Sequence, residues 1–190
     1  SALHLPSEAA LQSAFASVPR LFELANHYYV AMHFPVVTAF LLWGFVARPR
    51  AEYLWARNLL VTMTFLGLVV HSAFPLAPPR MFPQWGFLDT MARWGPSPYD
   101  GASAAVANQY AAMPSLHIGW AILIAFVLAR TGPRSVAVLG TVHAAATVFV
   151  VVVTANHWWV DGVVAGLLLA IATVVFPRPG VTRRPRRRPR

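Results

Sequence analysis

The chain has 190 residues, of which 57% are apolar and only 11% charged, with a formal net charge of +9. A soluble domain carries about a quarter charged residues, so a water-soluble globule is excluded and one compact helical membrane domain is expected. Cysteine is absent, which rules out disulfides, a thiolate nucleophile and a cysteine metal site.

The chain begins at Ser1 without a signal peptide, and a preceding segment is expected to have been removed or omitted. Residues 1–27 do not read as a span. Leu11, Phe15, Val18, Phe22 and Ala25 recur at helical spacing, with Glu8, Gln12, Arg20 and Glu23 elsewhere. This pattern predicts an amphipathic helix lying on the membrane or on the bundle.

Residues 28–177 contain five apolar runs of about the length that a bilayer span needs. The first, Tyr28 to Val46, carries His33 and Pro35 near its start. An intramembrane histidine is a functional candidate or a hydrogen-bonding group within the bundle. The second, Leu59 to Phe74, carries His71, and a long proline-rich connection follows from Pro75 to Pro114. Loops of that length inside a compact domain are usually functional, and Trp85 and Trp94 suit a membrane interface. The remaining spans are Ser115 to Ala129, Ser135 to Thr154 and Trp158 to Phe176.

Every basic residue is arginine. The 47–57 loop, the 130–134 turn and the tail 178–190 hold twelve of the fifteen, against Arg20, Arg80 and Arg93 elsewhere. This bias predicts a cytoplasmic tail and an extracytoplasmic long loop. Six arginines crowd the last eight residues, where contact with anionic lipid headgroups is expected rather than nucleic acid. The composition fits a bacterial plasma membrane.

Two stretches depart from ordinary membrane sequence. Pro114-Ser115-Leu116-His117 reads as a turn opening a helix, with His117 in the first turn, where backbone N–H groups favour an anion. Asn156-His157-Trp158-Trp159-Val160-Asp161 opens the last span, and His157 and Asp161, four apart, share a helical face. With Arg80, these residues fall on one membrane face. Asp161 is the one carboxylate inside an apolar run, and His157 is its natural partner. A histidine held by a carboxylate is a better nucleophile or base, a second histidine can protonate a leaving alkoxide, and arginine matches phosphate oxygens. An ion pair joining helices and a zinc site of two histidines and a carboxylate are the alternatives. A serine nucleophile at Ser115 has no G-x-S-x-G elbow around it.

These residues resemble the three motifs of the type 2 phosphatidic acid phosphatase (PAP2) superfamily, in order over about residues 71 to 166. The resemblance implies an all-α polytopic bundle of six spans, the first missing here, and a metal-independent reaction without cofactors. It implies that His157 attacks phosphorus and becomes phosphohistidine. Asp161 would orient it, His117 would protonate the departing group, and Arg80 and Ser115 would hold phosphate oxygens. There are departures. Leu116 replaces the glycine of P-S-G-H, Ala73 stands where the first motif has a lysine, and Val151 where the third has an arginine. His71, Arg93 and Asn156 are the candidate substitutes. The P-S-L-H and P-P-R spellings resemble the branch containing inositol phosphorylceramide synthases. The expected substrate is a lipid phosphate monoester or pyrophosphate, hydrolysed at an extracytoplasmic-facing site. Transfer of a phosphoryl-linked headgroup to an alcohol is the second reading, and a non-catalytic lipid-binding or transport protein the third.

Overall fold

The computed structural model describes residues 6–99 and 107–180. The expected lipid contacts of the arginine-rich tail therefore lie outside the described residues, apart from Arg178. Among the described residues the chain is all-helical, in agreement with the polytopic bundle expected from composition. Eight α-helices follow in order: α1 (Glu8–Ala14), α2 (Pro19–Ala31), α3 (His33–Ala47), α4 (Arg50–Ala73), α5 (Thr90–Trp94), α6 (Leu116–Thr131), α7 (Arg134–Val153) and α8 (Trp159–Val175).

Among the described residues only α4 and α7 are long and apolar enough to cross a membrane alone, and α2 with α3 passes as a bent pair with a 45° break. Pro35 explains that break. It has no N–H to donate to the Ala31 carbonyl, and its ring crowds that carbonyl. The first span thus starts earlier than its apolar run, in α2. The second also starts earlier, at Arg50, directly after Pro49. The two remaining apolar helices, α6 with 16 residues and α8 with 17, are short of a full span. At about 1.5 Å per residue they reach roughly 25 Å, against a hydrocarbon core of about 30 Å. Their missing turns are at their N-terminal ends, where residues 111–115 and 154–158 run as irregular backbone.

Within the expected amphipathic segment 1–27, the described residues 6–27 do not form a single helix. Pro19 holds Val18 out of helical conformation and starts a new helix, so the segment divides into α1 and α2. Neither lies free on a surface. Gln12, assigned by spacing to the polar face, is buried on α1. Its Nε2 donates to the carbonyls of Leu88 (3.0 Å) and Val153 (3.2 Å), and its Oε1 accepts from Leu88 N–H (2.8 Å). Asn26 on α2 does the same work. Its Nδ2 donates to Thr90 O (2.9 Å) and Gly95 O (3.1 Å), and its Oδ1 accepts from Thr90 Oγ1 (3.0 Å). These two buried amides fasten the long loop to the bundle, with Phe22 stacked on Trp94 at 5.1 Å.

The main core lies between α3, α4, α6 and α8, around Phe40, Trp55, Leu59, Met63, Leu123, Val127 and Ala172. α6 and α7 form a tight hairpin. A Cβ on Gly140 would meet Ala125 Cα at 3.2 Å and Leu128 Cδ1 at 2.9 Å, so the absence of a side chain sets their separation. At the opposite end of the bundle from the long loop, Trp55 Nε1 donates to Phe176 O (2.9 Å), tying the start of α4 to the end of α8.

Asn26→Leu takes the amide donor from the Thr90 and Gly95 carbonyls and the nearer acceptor from the Thr90 hydroxyl. It is expected to cost about 2–3 kcal/mol, read as a lower melting temperature and faster proteolysis within residues 86–99. Gly140→Val overfills the α6–α7 contact and is expected to destabilise by about 1–3 kcal/mol. An unchanged melting curve for it would show that the hairpin has slack.

Candidate active site

The site is built where the irregular starts of α6 and α8 meet. α7 ends at Val153, and the chain reverses through Ala155, which is fully buried with φ of 56°. A left-handed alanine is a costly conformation held only by its surroundings. Here the Ala155 carbonyl accepts from Arg80 N–H (2.9 Å), which brings the proline-rich segment against the turn. Trp158 Nε1 donates to Ala77 O (3.0 Å) beside it.

Asp161 is fully buried in the first turn of α8. Its Oδ2 accepts from Trp158 N–H (2.8 Å), so the carboxylate caps the helix, which suits negative charge at a helix N-terminus. The same Oδ2 lies 3.2 Å from His157 Nδ1. The Asp161 carbonyl accepts from Ser115 N–H (3.1 Å), joining the start of α8 to the start of α6.

His157 Nδ1 also lies 2.9 Å from the carbonyl of Ala112. Both neighbours are acceptors, so Nδ1 carries the proton and Nε2 presents its lone pair. The expectation that Asp161 orients His157 omitted this carbonyl, which makes the shorter contact. No sequence pattern marks it, because any residue could supply a carbonyl.

His117, in the first turn of α6, packs beside His157 with ring centroids 5.9 Å apart. Its ring stacks on Tyr29 at 4.1 Å, while His33 lies 4.0 Å away and itself stacks on Trp120 at 4.5 Å. The α2–α3 break thus places Tyr29 and His33 around His117, giving the first-span histidine a place at the site.

Arg80 is buried. Its Nε donates to Asn156 Oδ1 (3.2 Å) and its Nη1 to Asp89 Oδ2 (3.3 Å). The ring of Tyr99 covers the guanidinium at 4.3 Å. Asp89 also caps α5 by accepting from Ala92 N–H (3.0 Å), so one carboxylate both starts a helix and holds the arginine. The D-T-M-A spelling was a legible cap, whereas its pairing with Arg80 was not.

Ser115 sits elsewhere than a phosphate-holding role suggests. It is fully buried, and its Oγ accepts from Ile118 N–H (3.2 Å) as the N-cap of α6. Of the three candidate substitutes for the missing cations, His71 donates through Nε2 to Pro114 O (2.9 Å) and Asn156 holds Arg80. Arg93 lies on the surface against Trp94, at 4.9 Å.

His157, His117, His33, His71, Tyr29 and Tyr99 line one cavity of about 500 Å³. Its mouth runs between α3 and α4, where Phe34 and Leu68 are exposed. The volume is that of a small-molecule site, and its wall is apolar on one side and carries ring nitrogens on the other. Arg80 and Ser115 stand behind this wall, Arg80 with Tyr99 in front of it. Among the described residues, no three His, Asp or Glu side chains group as a metal cage.

Three buried side-chain polar atoms among the described residues lack a hydrogen-bond partner: His157 Nε2, Arg80 Nη2 and Asp161 Oδ1. Buried polar atoms are nearly always paired, so three orphans gathered at one place require a reason. A ligand that accepts from a guanidinium and reacts with a ring nitrogen supplies one for the first two.

The sequence profile of the PAP2 superfamily matches residues 1–176. Among curated proteins, the chain is 30% identical over 165 residues to the inositol phosphorylceramide synthase catalytic subunit aur1 of Schizosaccharomyces pombe, covering 78% of this chain and 38% of that protein. The chain thus spans well under half the length of this relative. No solved structure matches it. The chain belongs to the PAP2 superfamily.

Proposed function

We propose that this member of the PAP2 superfamily is a membrane lipid phosphatase that transfers a phosphoryl group from a lipid phosphate monoester or pyrophosphate to His157 and then to water. The observation that carries the reading is the coincidence of the orphaned atoms with the expected machinery. His157 Nε2 and Arg80 Nη2 are both buried and unpaired, and His157 opens onto the cavity.

In the first step Nε2 attacks phosphorus and the bond to the leaving oxygen breaks. His117 gives that oxygen its proton, so an alcohol, or a phosphate in the pyrophosphate case, departs. Water then attacks the phosphohistidine, His117 takes the water proton, and inorganic phosphate leaves with His157 restored. The Ala112 carbonyl and Asp161 hold the proton on Nδ1 throughout, and the carboxylate offsets the charge that develops on the ring. Arg80 supplies the fixed positive charge for the phosphate oxygens, and the phosphate displaces the Tyr99 ring from its face. Ser115 acts through the α6 cap. No metal is required, because a histidine nucleophile needs only its lone pair and charge stabilisation.

The lipid tail leaves through the mouth between α3 and α4, against Phe34 and Leu68. The arginine bias supports an extracytoplasmic cavity and a cytoplasmic α3–α4 turn. A second reading replaces water by an alcohol in the second step. The similarity to an inositol phosphorylceramide synthase subunit favours it, since that name implies an alcohol acceptor.

The test is a panel of lipid phosphates offered to the purified protein, following free phosphate and new lipid together in the presence of EDTA. His157→Asn, whose amide can still donate to Ala112 O, is expected to lose at least about 10⁴-fold in turnover while melting normally. Free phosphate lost in that variant supports hydrolysis. A new lipid without free phosphate moves the protein to the transferases, and neither product from a folded sample points to a binding or transport protein. Asp161→Asn is expected to lose less, about 10- to 100-fold, because the Ala112 carbonyl still fixes the tautomer. A loss equal to that of His157→Asn would show that the carboxylate charge dominates.

A further inference from the structure

We propose that the opposite end of the bundle carries a separate, non-catalytic site for the headgroup of an anionic phospholipid. Phe45, Arg48, Arg50, Tyr53, Leu54 and Arg57 line a cavity of about 470 Å³ around the short turn between α3 and α4. His71 of the catalytic cavity lies 21 residues beyond Arg50 on the same helix, so the two cavities are separated by roughly 30 Å.

The charge at this turn is unbalanced. Glu52, buried on the inner face of α4, is the only carboxylate paired there among the described residues, and both its oxygens are used. Oε2 accepts from Arg48 Nε (3.1 Å) and Nη2 (2.7 Å), and Oε1 from Arg178 Nη2 (3.3 Å). These pairs fix Arg48 at the cavity edge. Arg50 and Arg57 are exposed and have no carboxylate partner among the described residues, where Arg57 donates to Asn58 Oδ1 at 3.1 Å. Seven residues apart on α4, they share one helical face. The wall between them holds the Tyr53 ring, packed edge-on against Phe45 at 5.5 Å.

What selects a lipid over a free anion is the surface that continues from the cavity. The face of α4 carrying Arg57 runs on through Val61 and Phe65, 59% and 64% exposed, and α3 presents Leu42, Phe45 and Val46 beside it. Guanidinium groups at the membrane edge of an apolar stripe match a phosphate head with acyl chains below it. The cavity is also far larger than a phosphate ion. Basic pockets between membrane helices at the positively charged side recognise acidic headgroups on these terms.

The experiment is native mass spectrometry of the full chain in detergent, titrated with phosphatidylglycerol or phosphatidylcholine. The wild type is expected to hold phosphatidylglycerol preferentially. The double variant Arg50→Gln/Arg57→Gln is expected to lose about thirtyfold in that affinity, roughly fivefold per arginine, with an unchanged melting curve. Arg50→Lys/Arg57→Lys should keep most of it. Equal phosphatidylglycerol binding by wild type and the glutamine variant would overturn the site, since any lipid in the catalytic cavity is retained by both. Equal binding of phosphatidylcholine by the wild type would overturn headgroup recognition. Displacement of the lipid by an equal concentration of inorganic phosphate would overturn the lipid assignment in favour of a free-anion site.

Discussion

Asp161, a carboxylate with no access to solvent, is the residue at which the starts of two helices are joined, and of its carboxylate oxygens only Oδ2 has hydrogen-bond partners among the described residues. Its Oδ2 takes the Trp158 N–H and faces His157, while its own carbonyl takes the Ser115 N–H. These contacts join the starts of two helices that are 43 residues apart. Removing a carboxylate from water is expensive, and the Trp158 N–H and the His157 ring at Oδ2 offset part of that cost. The geometry of His157 is therefore set by the same contacts that hold the start of α8.

The same requirement explains the two short helices. Irregular backbone at membrane depth is tolerated where protein or a polar cavity satisfies it. The segments leading into α6 and α8 meet this condition by bonding to each other and to the loop after α4: Leu76 N–H to Tyr110 O, Ala112 N–H to Leu76 O, Arg80 N–H to Ala155 O. Ending α6 and α8 early opens a recess, and the Pro35 break brings Tyr29 and His33 to its wall. Gln12 and Asn26 then hold the loop over it. The N-terminal segment thus serves as a clamp on the loop that carries Arg80 and Asp89.

The bundle is polarised. Ring nitrogens and one buried guanidinium gather at one end, while exposed arginines gather at the other. The first arrangement suits binding of an anion, because its guanidinium is desolvated and one of its nitrogens has no partner. The second suits retention of an anionic headgroup, because its charges are hydrated and adjacent to apolar surface.

Apolar run length, the arginine bias, the prolines and the positions of His117, His157 and Asp161 near helix starts were all legible in the sequence. Each is a local signal, decided within a turn or two of chain by hydrogen bonding, capping or solvation. Pro19 was equally local, yet the apolar spacing across it was read as one helix. The pairing of Gln12 with Leu88 and Val153, of Arg80 with Asp89 and Asn156, and of His157 with the Ala112 carbonyl was decided only by tertiary structure. So were the burial of Ser115 in a helix cap and the cover of Tyr99 over Arg80. A carbonyl has no residue signature, and a polar side chain at a given spacing looks the same whether it faces water or a partner seventy residues away. The sequence by itself named the groups that can do phosphate chemistry. Packing alone decided which of them meet, because proximity across the bundle depends on how helices of unequal length end.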